Sequence, residues 1–255
     1  MIKMIIMDLD GTLLNSDKNI SDYTLSVLEK CRRKENKIAI ATARSEKSAE
    51  RCIKLIKPDI MILNGGALVI KNNRETIYKK LLSVNTSDGI INEFINNNDI
   101  GDFTIETDED YYVSYKEQAY HSDYMHGKYY DFSKPLSQET YKITVEIFNK
   151  ETAIKIGNKF NECNVIGFSG ENWHRFAHKE AEKMLAIEAI ATHEKIKVNE
   201  IVAFGDDYND IEMVKGCGVG IAMENGVEEI KKIAKYICKN NNEDGVGKWI
   251  EENIL

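Results

Sequence analysis

Met4-Ile5-Ile6-Met7-Asp8-Leu9-Asp10-Gly11-Thr12-Leu13-Leu14 is the stretch from which the rest of the chain can be read. Four apolar residues in succession suit a strand buried on both faces. The run ends in two carboxylates, Asp8 and Asp10, and then a glycine that lets the backbone turn sharply. In a parallel sheet, ligands bind in the crevice beyond the carboxyl ends of the strands. Two aspartates there repel each other and are costly to desolvate without a cation between them. Asp and Gly are also ordinary turn residues, so the stretch alone leaves open an acidic turn without chemistry.

Outward from this stretch, the same pattern recurs. Ser21 is a good N-cap for a helix over 22–34, with Leu25, Val27, Leu28 and Cys31 facing inward. Residues 37–42 read as a second buried strand, ending in Thr42. Ala49, Cys52, Ile53 and Ile56 have helical spacing, and residues 60–63 form a third apolar run before Asn64-Gly65-Gly66. Strand, helix, strand, helix, strand with short links predicts a parallel α/β sheet. A hairpin follows, with residues 68–70 and 76–78 flanking a polar turn.

The rhythm then changes. From 83 to 172 the segments no longer end in acidic or hydroxyl residues. Residues 141–148 alternate as a half-exposed antiparallel strand, and helices are expected over 92–98 and 152–160. The first rhythm returns near Trp173, with a helix over 180–194 and an apolar strand, Ile201-Val202-Ala203-Phe204, ending in Gly205-Asp206-Asp207-Tyr208-Asn209-Asp210. Further strands are expected over 218–222 and 236–238. The organisation predicted is an α/β core, residues 1–82 and 173–255, interrupted by an inserted α+β domain, residues 83–172.

Composition narrows the function. The 255 residues are 42% hydrophobic, enough for a sizeable core. Net charge −8 disfavours nucleic acid or an anionic membrane as main partner, because the long-range field repels both. A small anionic substrate is still compatible, since a metal and one lysine can meet its charge locally. The 5 cysteines are scattered with no CxxC pair, so reduced buried thiols are expected rather than disulfides or zinc. The opening residues lack a signal-peptide pattern, and no run reaches the roughly 18 apolar residues needed to span a bilayer. A cytoplasmic protein is the expectation.

Chemistry-bearing residues therefore gather at strand ends or on a helix aimed at them: Asp8 with Asp10, Thr42, Lys183, and Asp206 with Asp210. Hard oxygen ligands without clustered His or Cys point to Mg2+ rather than zinc. Neither acidic loop has the ligand spacing of a calcium EF-hand. Asp206 and Asp210 stand one helical turn apart and can share a face. Taken singly, Thr42 reads as a strand-end cap, Lys183 as a solvated helix residue and Asp210 as a helix N-terminal charge.

Asp8-Leu9-Asp10-Gly11-Thr12-Leu13, Thr42-Ala43-Arg44 and Gly205-Asp206-Asp207-Tyr208-Asn209-Asp210 together resemble the motifs of the haloacid dehalogenase superfamily. Asn241-Asn242-Glu243-Asp244-Gly245-Val246 and the insertion after Asn64-Gly65-Gly66 narrow the resemblance to Cof-type phosphatases, type IIB, which carry a large α/β cap. The resemblance spans essentially the whole chain and implies a Rossmann-like parallel-sheet core with an inserted cap domain. It implies a Mg2+-dependent phosphatase of small phosphorylated metabolites, such as sugar phosphates or phosphorylated cofactors. Asp8 would be the nucleophile, forming an aspartyl phosphate, and Asp10 the general acid and base, its carboxyl raised by acidic neighbours. Asp8, the main-chain carbonyl of Asp10, and Asp206 would hold Mg2+. Thr42, Ala43, Lys183 and Asn209 would contact or serve the phosphoryl group, and Asp210 would support lysine and metal from behind.

Two departures from the family pattern stand out. Ala43 replaces the glycine of Thr-Gly-Arg, and Met184 replaces a glycine after the motif lysine, which makes Lys179 a rival to Lys183. Tyr111, Tyr112, Tyr129 and Tyr130 could line a substrate mouth, with packing the simpler expectation. His121, His126, His174 and His178 lack metal spacing. A phosphomutase of the same superfamily, and a phospho-acceptor or metabolite sensor without turnover, are the alternative functions. A monomer or small homo-oligomer is expected.

Overall fold

The computed structural model describes residues 1–95, 97–115, 127–168 and 172–255. They form two compact units, one of Met1–Lys79 with Glu182–Leu255 and one of Lys80–Ala181.

In the first unit, β1 (Met4–Met7) is followed by α1 (Asp22–Arg33), β2 (Lys37–Ala41), α2 (Glu46–Ile56), β3 (Ile60–Leu63), β4 (Leu68–Lys71) and β5 (Thr76–Lys79). All four residues of β1 are fully buried because the strand lies mid-sheet with helices on both faces. Ile5 and Met7 pack with Val27 and Leu28 of α1 and with Cys52 and Ile56 of α2. Met4 and Ile6 point the other way, toward a second apolar cluster. A continuous apolar run is what such a doubly covered strand requires.

Helix starts in this unit follow capping chemistry. Ser21 accepts from the Thr24 amide and Ser45 from the Ser48 amide, each satisfying an otherwise unpaired first-turn donor. In α1 the buried face uses Thr24, Val27, Leu28 and Cys31; Leu25, expected inward, is only half-buried.

In the second unit, α3 (Val84–Ile95), β6 (Ile100–Glu106), β7 (Tyr111–Val113), β8 (Lys128–Tyr129), β9 (Lys142–Ile147), α4 (Lys150–Gly157), β10 (Cys163–Gly167) and β11 (Trp173–His178) build a separate sheet. Its order is β10-β11-β9-β6-β7-β8, antiparallel except for β7 with β8. In β9, Ile143, Val145 and Ile147 alternate inward against Ile90 and Phe94 of α3 and Ile156 of α4. The expected alternation is therefore present.

Three expectations for this unit are corrected. The strand Trp173–His178, read as the core resuming, pairs antiparallel with β9 and β10, so the unit continues to Ala181 rather than 172. Helix α3 begins well before residue 92. Its first turns, Val84-Asn85-Thr86-Ser87, are weak helix formers whose signal is poor. They are held by the Ser83 hydroxyl, which accepts from the Thr86 amide, and by Ser87 bonded to Thr140. Helix α4 starts two residues early because Asn149 caps the Glu151 amide.

The chain then returns to the first unit with α5 (Lys183–His193), β12 (Ile201–Gly205), α6 (Ile211–Gly216), β13 (Val219–Met223), α7 (Glu228–Ile233), β14 (Tyr236–Cys238) and α8 (Gly245–Asn253). The sheet order is β14-β13-β12-β1-β2-β3-β4-β5. Pairs from β14 to β3 are parallel, and the hairpin β4–β5 closes one edge antiparallel. Helix α5 lays Ala186, Ile187 and Ile190 on Met4 and Ile6; it begins at Lys183, three residues later than expected. All 5 cysteines are free thiols, four of them buried. No helix among the described residues is long and apolar enough to cross a membrane.

Candidate active site

The site grows from the carboxyl ends of β1 and β12, which run side by side. Asp8 follows β1 directly, and its amide donates to the Phe204 carbonyl at 3.0 Å. The chain then turns at Gly11, whose φ is +79°. A Cβ there would stand 2.2 Å from Oδ2 of Asp206, so this turn needs glycine for both conformation and space. Thr12 Oγ1 donates to Asp206 Oδ1 at 2.6 Å and holds that carboxylate against the turn.

Asp206 begins the loop after β12, and a short 3-10 turn, Tyr208–Asp210, carries Asp210 back beneath it. Asp210 is fully buried. Its Oδ2 accepts from the amides of Asp206 (3.1 Å) and Asp207 (3.3 Å), and its Oδ1 accepts from Lys183 Nζ at 2.6 Å. Lys183, at the first position of α5, also donates to Asp8 Oδ1 at 2.6 Å. One carboxylate oxygen each from Asp8, Asp206 and Asp210 lies within 4.8 Å of the others.

The electrostatics follow from three clustered carboxylates sharing one buried ammonium. Burial pushes the Asp8 carboxyl well above the usual range; Lys183 opposes this, while Asp210 and Asp206 add to it. Burial and then Asp210 push Asp206 up to about 7. Burial alone would lower the Lys183 ammonium, but Asp210 and Asp8 more than offset it and hold it above its ordinary value. An all-oxygen, electron-rich cluster of this kind fits a hard divalent cation, whose charge would reverse the upward shifts.

Asp10 behaves differently from the expectation. Its carboxylate faces Arg44, with Nε to Oδ2 and Nη2 to Oδ1 both at 2.6 Å, and Lys18 at 2.8 Å. Burial alone would raise this carboxyl, but the two cations hold it below its ordinary value. The anticipated rise from acidic neighbours is therefore reversed, because the side chain turns toward bases and is half-exposed.

The other predicted residues occupy nearby strand ends. Thr42 follows β2, is buried, and its Oγ1 accepts from the Arg44 amide at 3.1 Å. Ala43 does not lie in the left-handed region, so replacing glycine there imposes no backbone strain. Asn209 has a buried Oδ1 without a hydrogen-bond partner. Met184 rests against Gly216 at the end of α6, where the absence of a side chain makes room for its thioether.

Of the two lysines, Lys183 is the one brought to Asp8, whereas Lys179 is exposed in the second unit. Tyr112 and Tyr130 pack edge to face, 5.8 Å between ring centres, against the second unit's core; Tyr111 is half-buried and Tyr129 exposed. His174 Nδ1 meets the Asn172 carbonyl and His178 Nδ1 accepts from the Glu180 amide, while His121 and His126 lie outside the described residues. Sequence reasoning gave no role to Thr12, Arg44 or Lys18. Thr12 and Arg44 stand inside the quoted motifs, so proximity in sequence was the available signal.

A buried carboxylate at a central strand end thus stands beside further carboxylates and a buried lysine. Residues 5–250 match the haloacid dehalogenase-like hydrolase family. The chain belongs to that family and is an enzyme of its phosphatase type. It is 28% identical over 273 residues to a putative phosphatase of Haemophilus influenzae, covering 100% of this chain and 99% of that one. It is 24% identical over 271 residues to the 5-amino-6-(5-phospho-D-ribitylamino)uracil phosphatase YitU of Bacillus subtilis, covering 98% and 96%. In fold it matches the subclass IIB sugar phosphatase BT4131 with TM-score 0.85 at 24% identity, over 98% of each chain. TM0651 of Thermotoga maritima likewise matches with TM-score 0.85 at 24% identity, over 100% of this chain and 98% of that one.

Proposed function

We propose that this chain is a Mg2+-dependent phosphatase of small phosphorylated metabolites, sugar phosphates or phosphorylated cofactors, acting through an aspartyl phosphate on Asp8. The observation that carries this reading is the buried Asp8, 2.6 Å from Lys183 and clustered with Asp206 and Asp210. A carboxylate oxygen of Asp8 attacks phosphorus, the bond to the ester oxygen breaks, and Asp10 gives that oxygen a proton. Water then attacks the phosphorus of the aspartyl phosphate, passes a proton to Asp10, and frees Asp8. Asp10 starts from its ion pair with Arg44 and Lys18, so it must loosen that fork and gain a proton before serving as acid.

Lys183 offsets charge that builds on the phosphoryl oxygens. Thr42, whose Oγ1 already accepts from the Arg44 amide, keeps its O–H to donate to a phosphoryl oxygen. The Ala43 amide and Asn209 complete the phosphate cradle. Asp8, Asp206 and the Asp10 carbonyl would hold Mg2+, with Asp210 orienting Lys183 and the Asp206 amide from behind; when bound, the ion would supply charge screening between nucleophile and phosphate. The inserted unit acts as the cap that sorts leaving groups.

The activities carried in the names of YitU and BT4131 support a small phosphorylated substrate. A cytoplasmic location is supported by the free thiols, and net charge −8 speaks against nucleic acid as partner. The test is phosphate release from a panel of sugar phosphates and phosphorylated cofactors, with and without Asp8→Asn. The variant should be folded and release no phosphate. Appreciable turnover by Asp8→Asn would exclude the covalent route, and isomerised hexose phosphate without free phosphate would mark a mutase instead.

A further inference from the structure

The segment Asn240-Asn241-Asn242-Glu243-Asp244 has no role in the chemistry above, yet its polar groups are directed at the residues that follow the nucleophile. Asn241 Nδ2 donates to the Leu14 carbonyl at 2.8 Å, and Asn242 Oδ1 accepts from the Ser16 amide at 2.9 Å. The Asn241 amide donates at 2.9 Å to Oδ1 of Asn225, in the loop after β13. Asn225 passes the connection on, its Nδ2 donating to the Gly11 carbonyl at 2.7 Å. Asp244 anchors the segment by accepting from Ser21 and Thr24 at the start of α1.

Gly11 is the residue pressed against the Asp206 carboxylate, and Thr12 beside it holds Asp206 by hydrogen bond. The turn's own main-chain bonds run from the Thr12 and Leu14 amides to the Leu9 carbonyl. Asn225 meets the Gly11 carbonyl, and Asn241 adds a bond to the carbonyl of Leu14, a residue that also bridges to Asp10 across the turn. These asparagines are exposed or half-exposed, where a hydrogen bond adds little to global stability. Several such bonds converging on one turn are better explained by its position than by stability.

We propose that Asn225 and Asn241 are positioning residues, a clasp that fixes the Gly11–Leu14 turn and with it the Asp10 carbonyl and Asp206 carboxylate. The catalytic consequence rests on the phosphatase reading; the clasp itself does not. An asparagine is required at 225 because one side chain must both accept from Asn241 and donate to Gly11. Asn225→Asp keeps the acceptor, loses the donor, and is nearly isosteric.

The experiment compares the full chain with Asn225→Asp, Asn241→Ala and the double variant. Amide hydrogen exchange over residues 9–16 should quicken on the order of tenfold, with the urea midpoint nearly unchanged. On a phosphate ester the variants should lose kcat about tenfold with KM little altered, and Mg2+ titrated calorimetrically should bind several-fold more weakly. The double variant should lose no more kcat than the worse single one, because the two side chains act as one connected unit. Exchange over 9–16 at the wild-type rate, or equally faster exchange throughout the sheet, would overturn the clasp. If the wild-type chain hydrolyses no phosphate ester, the phosphatase reading fails while the exchange data still decide the clasp.

Discussion

Replacing Lys183 is the sharpest perturbation this site offers. Its ammonium is nearly inaccessible, with 1% side-chain exposure, and makes two 2.6 Å contacts, to Asp8 and Asp210. Lys183→Met keeps an unbranched apolar stem and removes only the charged end. Two buried carboxylates, Asp8 and Asp210, then lose their shared cation, and breaking a buried pair costs about 3–5 kcal/mol if the remaining charges persist. Protonation relieves part of that cost, so the loss should be smaller at acid pH than at neutral pH. In catalysis, losing a charge that offsets the phosphoryl oxygens should lower kcat on the order of 10² or more. Phosphate release and urea unfolding, each followed from about pH 5 to pH 8, measure both effects. Lys179→Ala is the control and should be mild in each. Retention of kcat within a few-fold by Lys183→Met, with a large loss in Lys179→Ala, would refute the assignment.

Removing divalent ions with EDTA should abolish activity and Mg2+ should restore it, whereas Ca2+, with its larger and looser shell, should inhibit; full rate in metal-free buffer would exclude the site. Asp206 is raised from 3.8 to about 7, so the metal-free fold binds more protons there than the unfolded chain. Its contribution is fully present below pH 3.8 and is lost as pH rises toward 7; Mg2+ should flatten that decline, as unfolding midpoints would register. Tyr111→Ala and Tyr112→Ala should alter relative kcat/KM among large phosphate esters and leave acetyl phosphate almost unchanged. Equal loss on both kinds of ester, in a folded variant, would mean the inserted unit takes part in the chemistry itself.

The apolar runs of β1, β2, β3 and β12 were legible because a doubly covered parallel strand leaves an unbroken hydrophobic signature. The residues at their ends were legible for the same reason: a run that stops at Asp8, Thr42 or Asp206 marks the sheet's functional edge. What stayed hidden depends on contacts distant in sequence. Nothing local to Trp173–His178 tells which sheet it joins, since either sheet would accept an apolar-rich strand. The direction of the Asp10 carboxylate is set by Arg44 and Lys18, and acidic neighbours in sequence pointed the wrong way. The first turns of α3 were masked by poor helix formers that tertiary bonds to Ser83 and Thr140 compensate.

The central place of β1 has a consequence for how the protein is made. Its partner on one side, β2, follows within a few dozen residues, but its other partner, β12, begins at Ile201. Lys183 is 175 positions from Asp8. A ribosome therefore releases β1 long before anything can pair with its open edge or neutralise Asp8. During that interval Met4–Met7 is an apolar strand with an unpaired side, the kind of edge that chaperones bind and that aggregation recruits. Slow translation between residues 80 and 200 should lower the yield of native protein more than an equal delay after β12 has emerged.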